Sequence, residues 1–263
     1  TEWTAAQIDL GACTEQDADG HGTHVLGIAG GDGSATGGAI PAYTYVGMAP
    51  QADLVMVKTD FSTTGIVDGA EYIMNLATTR GQCAVVNLSL GSQYGSHDGT
   101  SAFESALSLL TGPGRIIVKS AGNDRGVARH ADVYAAGAGT PVTMSVTGSL
   151  SGRAVMIDGY YESTENLNVQ VRTPNGTTIG PLALGTVSAA YPGVSTGNGS
   201  VYVENGVSVS GGGDPEVYLA INVGGGGQNM NGTWTFTFIP VTLGAANGEV
   251  DLGLRPVKER RGT

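Results

Sequence analysis

Asp19-Gly20-His21-Gly22-Thr23-His24-Val25-Leu26-Gly27-Ile28 is the stretch on which the reading of this chain turns. Two histidines three residues apart open an apolar, helix-prone run, and glycines flank the first of them. A histidine at the start of a helix can hold its imidazole out into a cleft while the following turns bury an apolar face. Glycine at 20 and 22 lets another backbone, or a substrate, approach closely. Two histidines at helical spacing can also share a face and hold a metal. Such pairs usually sit four apart with a third ligand nearby, and no Glu or Cys follows here in the right place. The metal reading of this pair is therefore set aside.

Working outward, the acidic Glu15, Asp17 and Asp19 precede the helix that starts near His21, where they complement the positive end of its dipole. Residues 30–47 form a glycine-rich loop without the Lys-Ser/Thr ending of a phosphate-binding loop, so they read as surface loop. Residues 52–58, Ala-Asp-Leu-Val-Met-Val-Lys, read as a short apolar strand. Apolar positions at Ile66, Ala70, Ile73, Met74 and Ala77 predict an amphipathic helix over 65–79. A strand over 84–90, a helix over 101–110 and a strand over 115–120 follow. Strand, helix, strand, helix, strand at this spacing gives parallel β-α-β units with helices covering the sheet.

In such sheets functional groups gather at the carboxyl ends of the strands. Two strand ends here turn polar: Asn87-Leu88-Ser89-Leu90-Gly91 and Ser120-Ala121-Gly122-Asn123-Asp124. An extended backbone ending in glycine can pair with a peptide by strand addition. Standing alone, the first segment would be an ordinary strand with a glycine turn, and the second a Gly-Asn turn.

With the His21 stretch, and in this order, the two segments resemble three motifs of the subtilisin family of serine peptidases. These are H-G-T-H-V-x-G, the substrate-binding segment and the A-G-N segment, together spanning residues 19–126 of this chain. The resemblance implies a subtilisin-like α/β fold and hydrolysis of a polypeptide substrate through an acyl-enzyme. It makes His21 the general base and His24 its structural neighbour. It gives Asn123 the oxyanion, on which negative charge develops only as the nucleophile adds. It aligns the substrate backbone on Ser89, Leu90 and Gly91, and on Ser120, Ala121 and Gly122. It implies no cofactor.

Two members of a Ser-His-Asp triad are not found. In subtilisin the chain order is Asp, His, Ser. None of Asp9, Asp17 or Asp19 follows an apolar strand of the kind that carries the family's aspartate, and nothing after Asn123 matches G-T-S-x-A-x-P. Gly99-Thr100-Ser101-Ala102 imitates that motif, with His97 and Asp98 just before it. It lies upstream of Asn123, lacks the proline, and enters a predicted helix with Glu104 three residues on. Ser101 and Glu104 therefore read as a capping box. The expectation is an interior piece of a peptidase, with the aspartate before Thr1 and the serine after Thr263. The competing expectation is a non-catalytic, degenerate relative that binds peptides without cutting them.

After about Tyr134 helical periodicity stops. Alternating runs appear at 142–147, 154–160, 167–172, 201–204, 216–223 and 233–239, separated by turn signals such as Thr173-Pro174-Asn175-Gly176. Trp234, Phe236 and Phe238 fall on one face of the last run. Many short strands at this spacing predict an antiparallel, jelly-roll-like β-sandwich. The expected layout is a partial catalytic core over 1–134, a sandwich insert over 135–255 and a basic tail over 256–263. Asp158, Asp214 and nearby asparagines could take structural calcium, but no ligand spacing requires it.

Composition agrees. The chain has 263 residues, a net charge of -11, 44 glycines and only 13% charged residues. That charge excludes nucleic acid as a partner, because no basic stripe could neutralise phosphates. No run of eighteen apolar residues would span a membrane. The start at Thr1 rather than Met, with no signal peptide, fits a processed or excised piece, and the Gly/Ser/Thr/Asn-rich, lysine-poor make-up fits a secreted protein. Cys13 and Cys83 stand open between free thiols and a disulfide. The sequence does not set the oligomeric state.

Overall fold

A computed structural model of the chain describes residues 1–35, 38–91, 95–123, 125–126, 129–147, 154–207, 213–222 and 229–256. The chain divides into two compact units, one of Thr1–Ser89 with Leu109–Ser120, the other of Leu90–Ser108 with Ala121–Thr263. Most of the expected basic tail lies outside the described residues.

In the first unit, α1 (Ala5–Asp9) is closed by a capping box between Thr4 and Gln7. The helix α2 (His21–Gly30) begins at the first histidine, as the glycine-flanked motif predicts. The long helix α3 (Thr63–Arg80) buries Ile66, Ala70 and Met74, one residue per turn along a single stripe. It starts at Ser62, whose hydroxyl accepts from the amide of Gly65 at 3.0 Å. It stops at Gly81, which takes φ 65°, the left-handed conformation that ends helices at glycine.

The strand β1 (Ala84–Leu88) follows, and α4 (Ala102–Leu109) lies on the crossover to β2 (Arg115–Lys119). The two strands pair in parallel, Ala84 with Arg115 through Leu88 with Lys119. Alternate residues Ala84, Val86 and Leu88 are buried, and α3 packs against this strand. The other face of the pair, carrying Val85, Ile116 and Val118, is open to solvent. Residues 52–58 correct the sequence reading: they run extended but belong to no ladder among the described residues. Their side chains reach neighbouring segments at the surface. Lys58 meets Glu15 at 3.2 Å, and Asp53 accepts from Gln82 at 2.9 Å. Both cysteines are free.

In the second unit, Ser101 caps α4 as its spacing with Glu104 predicts. Its hydroxyl donates to the Glu104 carboxylate at 2.7 Å and accepts from the Glu104 amide at 3.3 Å. Eleven strands follow: β3 (His130–Tyr134), β4 (Thr140–Val146), β5 (Ala154–Tyr160), β6 (Asn166–Arg172), β7 (Thr178–Leu182), β8 (Thr186–Val187), β9 (Val194–Thr196), β10 (Gly199–Asn205), β11 (Glu216–Asn222), β12 (Gly232–Thr242) and β13 (Glu249–Pro256). They build two antiparallel sheets. One has the order β3-β13-β5-β11-β10-β8 with β9 also on β10, and the other β4-β12-β6-β7.

A single hydrophobic cluster draws on both sheets, with Val201, Val203, Ile221 and Val250 from the first and Leu167, Val169, Val171, Trp234 and Phe238 from the second. Trp234 is wholly buried, and its indole N–H donates to the carbonyl of Met230 at 2.8 Å, so the ring is packed without leaving a polar atom unpaired. Trp234→Ala should therefore lower unfolding stability by about 3–5 kcal/mol, read from urea denaturation of the second unit's signal. A loss below about 1 kcal/mol would show that the two sheets do not depend on this shared core.

Candidate active site

The chain reaches His21 through a carboxylate. Asp17 accepts from the Gly20 amide at 2.8 Å with one oxygen, and from the Thr23 amide and hydroxyl, both at 2.8 Å, with the other. These amides belong to the helix start, where the first N–H groups have no partner inside the helix. Their bonds, the Thr23 amide first, hold the Asp17 carboxyl down at about 2. His21 is thereby fixed as the first helical residue with its ring exposed, and among the described residues that ring has no hydrogen-bond partner. Asp17 makes no hydrogen bond to that ring among the described residues, so here it serves the helix start rather than the imidazole. His24 is exposed one turn on.

The other end of α2 meets the glycine-rich loop. The amides of Met48 and Ala49 donate to the carbonyls of Ile28 and Ala29 at 3.0 and 2.8 Å, and Gly47 donates to Gly31 at 2.7 Å. A Cβ at Gly47 would stand 2.6 Å from the amide nitrogen of Gly31, so only glycine allows this approach. The loop thus closes on the carbonyl end of a helix, which repels anions. That is the physical reason it is no phosphate cradle.

Parallel pairing puts the ends of β1 and β2 side by side. The Ser120 amide donates to the Leu88 carbonyl at 3.1 Å, and the Ser89 hydroxyl accepts from the Asn87 amide group at 2.9 Å. The segment through Leu90 and Gly91 leaves one strand at this edge, and the segment through Ala121, Gly122 and Asn123 leaves the other. Gly122 takes φ 90°, and Asn123 is exposed in the turn that follows. Asp124, the last residue of the motif, lies outside the described residues. Asp158 accepts from the Gly95 amide at 3.3 Å, and Asp214 from the Ser163 amide at 3.0 Å. Among the described residues neither falls in a group close enough to share an ion, and His21 and His24 do not either.

The sequence reading missed Asp17 as the anchor of the motif. The signal was present, since three acidic residues precede His21, but nothing in their spacing told which one turns back onto the helix.

The model of the subtilase family (Peptidase_S8) matches residues 9–234. The chain belongs to the subtilase family. An alkaline proteinase of Hapsidospora chrysogena is 30% identical over 165 residues, covering 59% of this chain and 37% of that protein. A cuticle-degrading serine protease of Orbilia oligospora is 28% identical over 201 residues, 70% of this chain and 42% of that protein. Subtilisin Savinase of Lederbergia lenta is 32% identical over 138 residues, 49% of this chain and 45% of that protein. The chain thus spans less than half the length of each of these relatives. Among solved structures, the CspB protease of Clostridium perfringens superposes with a TM-score of 0.72 at 22% identity, covering 93% of this chain and 52% of that one. This likeness is one of fold.

A carboxyl held at about 2 instead of its ordinary 3.8 stabilises the folded state wherever the group would be ionised in the unfolded chain as well. The contribution of Asp17 is therefore full above about pH 4 and is lost as pH falls through about 2. A carbon NMR titration of the Asp17 carboxyl should show a midpoint near 2, and Asp17→Asn should speed amide exchange at Gly20 and Thr23. A midpoint near 3.8 with unchanged exchange would contradict the cap.

Proposed function

We propose that this chain is the base-and-oxyanion part of a secreted subtilisin-like serine endopeptidase. Within the family, the observation that carries this reading is the pair of segments, Ser89–Gly91 and Ser120–Asn123, leaving the carboxyl ends of one parallel strand pair. The chemistry then runs as acyl transfer. A serine hydroxyl outside this chain attacks the scissile carbonyl, and His21 takes its proton. The carbonyl oxygen gains the negative charge, to which the Asn123 side-chain amide donates. His21 returns the proton to the departing amine, leaving an acyl-enzyme, and a water deprotonated by His21 then hydrolyses the ester. Ser89-Leu90-Gly91 and Ser120-Ala121-Gly122 present backbone to an extended polypeptide substrate.

The open face of the β1–β2 pair supports the view that the catalytic core is partial here, since parallel sheets are ordinarily covered on both faces. The residues after about 134 are a jelly-roll insert on this reading, with a basic tail over 256–263. Strand order supports it. The orders β3-β13-β5-β11 and β4-β12-β6-β7 interleave two Greek keys, as eight-stranded jelly rolls do. Secretion is supported by the relatives' kind and by composition. No helix among the described residues is long and apolar enough to cross a membrane.

In the intact enzyme, His21→Ala should reduce activity to the background left by binding and oxyanion stabilisation. Asn123→Ala should lower kcat by about 10²–10³ with KM little changed, a size carried over from subtilisin itself. If Asn123→Ala raised KM and spared kcat, Asn123 would be a binding or turn residue. If His21→Ala changed neither constant, His21 would not be the base, and if the intact protein hydrolysed no peptide at all, the non-catalytic reading would stand.

A further inference from the structure

The outer face of the first antiparallel sheet carries a cluster that peptide hydrolysis does not use. On β3, Ala131 and Val133 turn into the hydrophobic cluster, so His130 and Asp132 point the other way. On β13, Val250 and Leu252 are buried, and Asp251 stands on the outer face directly opposite Asp132. A third chain segment lies over them. Its Gly95 amide donates to Asp158 of β5 at 3.3 Å, and two residues later His97 places Nδ1 3.2 Å from Asp251 Oδ2. His130 Nε2 stands 2.6 Å from Asp251 Oδ1 and 3.5 Å from Asp132 Oδ1. One nitrogen from each histidine and one oxygen of Asp251 all lie within 4.8 Å of one another.

We propose that His97, His130 and Asp251 form a transition-metal site of the zinc class. Two imidazole nitrogens and one or two carboxylate oxygens are the donor set that Zn²⁺ takes in tetrahedral sites. Ligands about 2.0–2.2 Å from a central ion lie roughly 3.4 Å apart, so an ion would open the 2.6 Å His130–Asp251 contact and draw in the wider pairs, by changes of about 1 Å. Charge favours occupancy as well. Asp132 and Asp251 are directly opposed across an antiparallel pair, where like charges repel, and a divalent cation between them removes that cost. His97 itself sits at φ 57°, uncommon for a residue with a side chain. A bound ion would tie the segment around His97 to β3 and β13, so its expected role is to clamp that segment to the sheet.

The test is titration of the chain with ZnCl₂ at neutral pH against a chromophoric chelator, with amide exchange of residues 95–100 followed in parallel. The expected result is one equivalent bound, with exchange slowed over that segment. His97→Ala and His130→Ala should each weaken binding by about tenfold or more. His24→Ala should leave it unchanged, which separates this site from the other histidine pair. Because His97 lies on an exposed segment, His97→Ala tests the site without touching a strand. Absence of saturable binding would overturn the proposal. So would binding that survives His97→Ala together with His130→Ala, or binding that His24→Ala removes.

Discussion

The parallel ladder between Ala84–Leu88 and Arg115–Lys119 is the constraint on which the rest of the first unit depends. Parallel strands cannot be joined by a tight turn, so the chain must cross over, and here the crossover carries α4. Because both strands run the same way, both carboxyl ends arrive at one edge, and the segments that bear Ser89 and Ser120 leave from adjacent points. The same ladder demands cover on both faces. Ile66, Ala70 and Met74 of α3 lie buried along the stripe that packs on one face, and Val85, Ile116 and Val118 on the other have nothing over them among the described residues. A chain that spans less than half the length of the relatives named above, and whose first unit shows one bare sheet face, is consistent on both counts.

How much was legible in the sequence depended on where each segment finds its partners. The helix α3 was legible because its apolar stripe is local, while the serine cap and terminal glycine that set its ends were local signals left unread. The Ser101–Glu104 cap was legible for the same reason, and it disposes of a serine that imitates a nucleophile motif. Residues 52–58 look like a strand by composition, yet strand character is set by a neighbour to pair with. The reverse error is β13, whose Glu249, Asp251, Gly253 and Pro256 hide a strand that pairs on both sides, with β3 and β5. Its alternation of Val250, Leu252 and Leu254 was the one available signal. The strand β3 was missed likewise, because His130 and Asp132 alternate with only two apolar positions. Aromatic alternation at Trp234, Phe236 and Phe238 had no such ambiguity, and all three are buried.

At the site, the three motifs were legible as residue types but the device that seats the first was not. Asp17 satisfies amides at the start of α2 that the helix cannot satisfy itself. The structure therefore separates two jobs that a row of acidic residues before a histidine leaves confounded. One carboxylate seats the helix that carries His21. On the proposed reading, the acid that orients His21 is a different one.

The central claim is that this chain holds the base and oxyanion donor of a subtilase site, while the nucleophile lies beyond its 263 residues. Reaction with a fluorophosphonate serine probe tests it most directly, comparing this chain with its full-length parent by peptide mapping. The account predicts no labelling of the chain, and stoichiometric labelling of the parent at a serine outside residues 1–263 that is lost with His21→Ala. Labelling of the isolated chain, at Ser101 or any other of its serines, would contradict it.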